Sequence, residues 1–194
     1  MQSVDEIVQA SLEVKKSLFI SYLVPLHDFE SLHSRLKLEH PKAAHIVWAK
    51  RSLNEYAQIV ENNSDDGEPK GTSGPPVLNV MRGYELINVG ILIVRYFGGI
   101  KLGTGGLVRA YGSSAKEVIA CASLKAYVTK EAVVFTCEYP LIPRFEHYCA
   151  SHGLLFERKF EVHYAHWTIQ MSQEEKEAFL LFAHPFSREG FNLL

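Results

Sequence analysis

Residues 94–112 read VRYFGGIKLGTGGLVRAYG, and this glycine segment joins a strongly apolar run to a stretch with helical character. Six of its nineteen residues are glycines, and Arg95, Lys101 and Arg109 add positive charge. Glycine adopts backbone conformations closed to other residues and lets a ligand or a second backbone approach closely. The segment therefore predicts a buried strand, a tight connection and a helix that begins near Gly105–Leu107.

The glycine segment matches neither of two common phosphate-binding motifs. A Walker A loop needs a glycine followed by Lys-Ser or Lys-Thr, and the dinucleotide fingerprint needs a glycine where Val108 stands. Two interpretations stay open: an anion held by helix N–H groups and cations, or a glycine turn packed under another part of the chain. The predicted anion-binding residues are Arg95, Gly98, Gly99, Lys101, Gly103, Gly105, Gly106 and Arg109.

A long polar stretch, ENNSDDGEPKGTSGPP (residues 61–76), precedes the apolar run. Its length and its turn-forming residues predict a functional loop. Asp65, Asp66 and Glu68 suit two roles: hard oxygen ligands for magnesium, or acceptors that cap backbone amides. No nucleophile motif accompanies these acids, so the sequence favours a binding protein over an enzyme.

Periodicity predicts the elements around these two segments. Strands are expected at Ile7–Val14 and Ser17–Leu26, at AAHIVWAKR with His45, and more weakly at Tyr56–Val60. A helix follows Asp28, its expected N-cap, and Thr72 or Ser73 is expected to cap a second short helix.

From Lys130 onward the pattern restarts in the order β-α-β-β-α-β, which is that of a ferredoxin-like unit. One of its helices has a capping box, with Ser172 at the N-cap and Glu175 three residues later. The expected fold class is therefore α+β, with domains at residues 1–128 and 129–194.

Composition narrows the function classes. Hydrophobic residues make up 47% of the 194-residue chain and charged residues 22%, as in globular proteins. The net charge is −2; residues 1–128 hold 14 basic and 13 acidic residues, and residues 129–194 hold 6 and 9. A polyanion site would therefore be a local patch in the first domain. With no membrane span, no leader and three scattered cysteines, a cytoplasmic protein without a metal site is expected.

The segments SDDGEPKGTSGPPVL and VRYFGGIKLGTGGLVRAYG, in this order, closely resemble the YigZ/IMPACT family. KKSLFI and KAAHIVWA also resemble its pattern. The resemblance implies that the first domain is similar to the second domain of ribosomal protein S5. It implies a ferredoxin-like second domain, similar to the last domain of the translocase elongation factor.

The resemblance also carries motif residues onto this sequence. A cysteine is common in the family two positions after its histidine, and Val47 stands there instead, which weakens a thiol-based enzyme interpretation. Besides the anion-binding set above, the resemblance assigns a motif face to His45, Asp65, Asp66, Gly67, Glu68 and Thr72.

Eukaryotic members of the resembled family regulate translation by competing for an activator of a stress kinase. The resemblance therefore implies a non-catalytic protein without a cofactor, regulating translation through RNA or ribosome binding. Two alternatives stay open: a protein-docking regulator, and an enzyme that acts on a phosphate ligand with magnesium.

Overall fold

The apolar run before the glycine segment forms the central strand of a five-stranded sheet in the computed structural model, which describes residues 1–194. The chain divides into two compact units, Met1–Tyr127 and Val128–Leu194. In chain order the first unit contains β1 (Gln2–Ser3), β2 (Val8–Val14), β3 (Ser17–Pro25), α1 (Phe29–Glu39), β4 (His45–Leu53), β5 (Ile59–Ser64), α2 (Gly74–Gly83), β6 (Val89–Tyr96), α3 (Thr104–Ala120) and β7 (Lys125–Ala126).

The five-stranded sheet has the order β2-β3-β6-β4-β5, and all of its neighbouring strands are antiparallel. Successive side chains of a strand point to opposite faces. Leu92 and Val94 of β6 accordingly pack with α1, whereas Ile91 and Ile93 pack in the cluster that contains residues of α2 and α3. With helices on both faces, β6 is buried on both sides, which explains its uninterrupted apolar sequence.

Strands β1 and β7 pair antiparallel and bring the two ends of the first unit together. The N–H of Tyr127 donates to the carbonyl oxygen of Met1 at 3.0 Å.

The second unit contains β8 (Glu131–Glu138), α4 (Ile142–His152), β9 (Phe156–Phe160), β10 (Tyr164–Met171), α5 (Gln173–Ala183) and β11 (Phe191–Leu193). Its antiparallel sheet has the order β11-β8-β10-β9. The predicted α+β class is confirmed. The likeness of the first unit to a ribosomal protein domain stays a prediction.

The predicted capping box of α5 is confirmed. The hydroxyl of Ser172 accepts from the N–H of Glu175 at 3.1 Å, and the Glu175 carboxylate accepts from the N–H of Ser172 at 2.7 Å. Each side chain thereby satisfies an N–H group that has no partner within the helix.

Several local predictions in the first unit are wrong. The polar loop was expected from residue 61, but Glu61–Ser64 belong to β5, which begins at Ile59 rather than at Tyr56. Pairing with β4 overrides the polar composition there, because β5 is an edge strand with a largely exposed surface. Asp28 and Ser73 occupy N-cap positions, yet neither side chain makes a capping hydrogen bond.

None of the helices combines the length and apolar composition needed to cross a membrane.

Candidate functional site

The loop between β5 and α2 is organised by the carboxylate of Asp65. It accepts hydrogen bonds from the N–H groups of Gly71, Ser73 and Gly74 at 2.7, 3.1 and 2.8 Å, and from the Ser73 hydroxyl at 2.7 Å. Burial alone would raise the pKa of Asp65, but these hydrogen bonds outweigh it and hold that pKa below its usual value. Asp65 thus caps the start of α2 in place of Thr72 or Ser73.

Asp66 ties the same loop to the start of β4. Its carboxylate accepts from the N–H of Ile46 at 2.6 Å, and its carbonyl oxygen lies 2.6 Å from Nδ1 of His45. Because a carbonyl can only accept, Nδ1 of His45 donates and the neutral ring keeps its lone pair on Nε2. Gly67 follows with a φ of +85°, and its α-carbon faces the His45 ring.

Glu68 and Arg95 form a buried ion pair between the two motif segments. Arg95 Nη1 donates to Glu68 Oε1, which also accepts from the Tyr111 hydroxyl at 2.7 Å. Burial is the main cause that raises the pKa of Tyr111, and the Glu68 carboxylate raises it further. The Tyr111 hydroxyl therefore stays protonated and acts as a donor. Glu68 Oε2 has no hydrogen-bond donor in the protein and lies 3.9 Å from Nε2 of His45.

Sheet register explains where Arg95 lies. In β6 it is opposite Phe19 of β3 on one side and His45 of β4 on the other, and it faces α3, as does Ile93. Arg95 is 6% exposed and pairs with Glu68, while its Nε has no hydrogen-bond partner. It therefore belongs to a cleft wall and is not an exposed surface cation.

The glycine segment contains both a close backbone contact and an open helix N-terminus. A β-carbon on Gly98 would lie 2.0 Å from the carbonyl carbon of Lys16, so this glycine packs directly on the turn between β2 and β3. Gly103, with a φ of +72°, occupies the N-cap of α3 and provides no side-chain cap. The first intrahelical bond runs from Leu107 N–H to Gly103, which leaves the preceding N–H groups without intrahelical partners.

A cleft of about 460 Å³ joins the two motif segments. Of the predicted residues it contains His45, Glu68, Arg95, Lys101 and Gly103. Its complete lining is Ala44, His45, Glu68, Pro69, Arg95, Phe97, Lys101, Leu102, Gly103, Thr104 and Leu107.

The other predicted residues lie outside this lining. Gly106 and Arg109 line a neighbouring hollow of about 310 Å³ together with Lys15. Thr72 is buried, and its hydroxyl donates to the carbonyl oxygen of Pro69 at 2.6 Å, within its own loop. Asp65, Asp66, Gly67, Gly98, Gly99 and Gly105 shape the segments around the cleft without lining it.

Three further residues contribute to the site. Phe97 is 52% exposed at the cleft. Tyr111 is fully buried against Glu68. Lys15 reaches the site through tertiary structure alone; the only signal for it was the resemblance of KKSLFI to the family pattern.

Known proteins are similar to this chain over both motif segments. Residues 15–119 match the family model described as the Impact N-terminal domain. An IMPACT family member of Haemophilus influenzae is 34% identical over 171 residues, which cover 86% of this chain and 82% of the relative. The IMPACT family member YigZ of Escherichia coli is 35% identical over 132 residues, which cover 66% of this chain and 64% of the relative. A crystal structure of a hypothetical protein superposes with a TM-score of 0.76 at 26% identity, across 100% of this chain and 95% of that one.

Proposed function

The chain belongs to the IMPACT family, and on that premise we propose that it is a non-catalytic regulator of translation that binds RNA through its first unit. The contact surface is the basic edge, which we define as Lys15, Lys16, Lys101 and Arg109 beside the N-terminus of α3. The role in translation is carried over from the eukaryotic members. RNA as the ligand is supported by the charge and geometry of this edge.

The observation that carries the proposal is the convergence of these four exposed cations. Gly98 packs on the backbone of Lys16, and Lys15 shares a hollow with Arg109. The glycine segment and the β2–β3 turn thus bring together cations that are more than 80 positions apart in sequence. The N–H groups at the start of α3 add a partial positive charge beside them.

The neighbouring acids do not oppose a phosphate as strongly as the sequence suggests. Asp65 and Asp66 accept backbone N–H donors, and Glu68 is neutralised by Arg95. Local hydrogen bonds and an ion pair therefore compensate much of the negative charge of this loop.

The test is fluorescence anisotropy of a labelled single-stranded ribosomal RNA fragment across a salt series. The slope of log affinity against log salt is negative, and each lost phosphate contact should make it shallower by about 0.7. We expect Lys101→Ala/Arg109→Ala to bind more weakly than wild type and with a shallower slope.

The matched control is Lys37→Ala/Lys116→Ala, which removes the same charge from α1 and from the C-terminal part of α3. It should bind like the wild type. Salt-insensitive binding, or equal losses in the two double variants, would contradict the proposal.

One observation favours protein docking as a second candidate. Phe97 and Ile100 in the glycine segment and Val108 on α3 are 52%, 44% and 40% exposed. Exposed apolar side chains are a feature of protein-binding surfaces. Absence of RNA binding at low salt, together with self-association or partner binding abolished by Ile100→Asp, would favour this candidate.

The magnesium enzyme alternative is not favoured by the site. It requires Asp66 or Glu68 as metal ligands, but the Asp66 carboxylate accepts from Ile46 and Glu68 pairs with Arg95. Hard cations bind several oxygens that are free to enter their coordination shell, and the one Glu68 oxygen without a donor, Oε2, belongs to a carboxylate already paired with the Arg95 cation. These residues do not fit such a site.

A further inference from the structure

The cleft lining contains two hydrogen-bond acceptors that the protein itself does not satisfy. Glu68 Oε1 accepts from Arg95 and Tyr111, whereas Oε2 has no donor. In the neutral His45 ring Nε2, 3.9 Å from Oε2, keeps its lone pair, because Nδ1 carries the proton that is donated to the Asp66 carbonyl. The Glu68 side chain is only 4% exposed. Both residues line the cleft, and neither Oε2 nor Nε2 accepts a hydrogen bond from the protein, so this pair fits a ligand that brings two adjacent hydroxyl groups.

Donors line another part of the same cleft. Gly103 and Thr104 place the uncapped start of α3 in its wall, and Lys101 adds an exposed ammonium group. Arg95 lines the cleft as well; its side chain is 7% exposed, and its Nε has no partner. Uncapped N–H groups together with a cation fit a phosphate.

The remaining walls are apolar and partly aromatic. Leu102 and Leu107 line the cleft, and the half-exposed ring of Phe97 lies among the same residues. Aromatic rings exposed beside cations stack nucleobases with little sequence preference. A volume of about 460 Å³ lies within the range of small-molecule sites.

We propose that the cleft binds one ribonucleotide, with its ribose hydroxyls donating to Glu68 Oε2 and His45 Nε2. Its phosphate lies at the start of α3 beside Lys101, and its base stacks on Phe97. The inference rests on the proposed function, since the cleft shares Lys101 with the basic edge. The same chemistry comes from a free ribonucleoside monophosphate or from one residue of an RNA strand.

The inference makes the ribose the specific feature of recognition. The 2′-hydroxyl is what allows a protein to distinguish RNA from DNA at a given site. A hydrogen bond to a charged acceptor contributes about tenfold or more in affinity. Adenosine monophosphate should therefore bind more tightly than its 2′-deoxy analogue by at least that factor.

The experiment is calorimetric titration of the full chain with adenosine monophosphate and with 2′-deoxyadenosine monophosphate. His45→Ala should reduce the preference for the ribonucleotide, because it removes one of the two acceptors for the ribose hydroxyls. Phe97→Ala should lower the affinity for both nucleotides by similar factors, because stacking of the base is independent of the sugar. Lys37→Ala is the control: it removes an exposed cation of α1 outside the cleft lining and should leave both affinities unchanged. Thermal unfolding of each variant checks that it is folded.

Failure of this inference is distinguishable from failure of the proposed function. If RNA binds with salt dependence but the two mononucleotides bind equally or not at all, the inference is overturned and RNA binding by the basic edge stands. If adenosine monophosphate binds with the ribose preference but RNA does not bind at low salt, the ligand is a free ribonucleotide and the proposed function is overturned. If both bind and adenosine monophosphate displaces an RNA strand, the ligand in the cleft is a residue of RNA.

Discussion

Glu68 is the residue at which the two motif segments meet. Glu68 is 8% exposed. Its carboxylate accepts hydrogen bonds from Arg95 of β6 and from Tyr111 of α3. Removing one partner of a buried ion pair leaves an uncompensated charge and destabilises a protein by about 3–5 kcal/mol. The pair therefore holds the Asp65–Gly74 loop against the sheet, and it leaves Lys101 as the exposed cation of the cleft.

At the scale of single residues, Asp65→Ala should lower the free energy of unfolding by about 1–3 kcal/mol at pH 7, because it removes the cap of α2. The folded-state pKa of Asp65 is lowered, so its contribution is complete above the unfolded value of about 3.9. That contribution is lost as the pH falls through the lower folded-state pKa. Urea unfolding of both proteins from pH 7 to pH 3 should show the difference shrinking below about pH 4.

Asp28→Ala is the matched control for this prediction. Asp28 also stands at an N-cap position, but its side chain makes no capping hydrogen bond. Its removal should change stability by less than about 1 kcal/mol. A difference between Asp65→Ala and wild type that persists undiminished at pH 3 would show that the Asp65 carboxylate does not act as the cap.

At the scale of elements, the sequence predicts what local patterns determine. The apolar run of β6, the helix after Gly103 and the Ser172 capping box are local signals, and the structure contains all three. The approach of Gly98 to Lys16 could not be predicted, because it depends on the antiparallel pairing of β3 with β6. The Asp65–Gly74 loop reaches the sheet elsewhere, through the pairing of Glu68 with Arg95.

Gly98→Ala tests that contact between elements. The added methyl group would lie 2.0 Å from the Lys16 carbonyl carbon, which is backbone and cannot move aside as a side chain can. Such overpacking destabilises by about 1–3 kcal/mol, occasionally more. We also expect weaker RNA binding, since the turn that carries Lys15 and Lys16 has to shift. Chemical unfolding and the anisotropy assay measure the two effects.

Gly112→Ala provides the comparison. Gly112 lies inside α3, and a β-carbon there would have its nearest neighbour, a Val80 methyl carbon, at 3.9 Å. Alanine is favoured over glycine within a helix by about 0.5–1 kcal/mol, so this variant should be as stable as the wild type or more stable. Equal stability of the two variants would contradict the packing role of Gly98.

At the scale of the whole molecule, the two units differ in charge, and each has a hydrophobic core of its own. The basic edge lies in the first unit, whereas residues 129–194 carry 6 basic and 9 acidic residues. The second unit has a core of its own, in which Phe135 contacts the aromatic rings of Phe145, Trp167, Phe179 and Phe191. RNA binding should therefore belong to the first unit alone.

A fragment of residues 1–127 should bind RNA with a salt slope at least as steep as that of the full chain, because it keeps the same phosphate contacts. At low salt its affinity should be somewhat higher, since the removed residues carry net negative charge that repels a polyanion. Above the salt concentration that screens such repulsion, the two affinities should converge. Residues 128–194, produced separately and shown by circular dichroism to be folded, should not bind. A shallower slope for the 1–127 fragment would mean that the second unit supplies phosphate contacts despite its acidity, and RNA binding would then require both units.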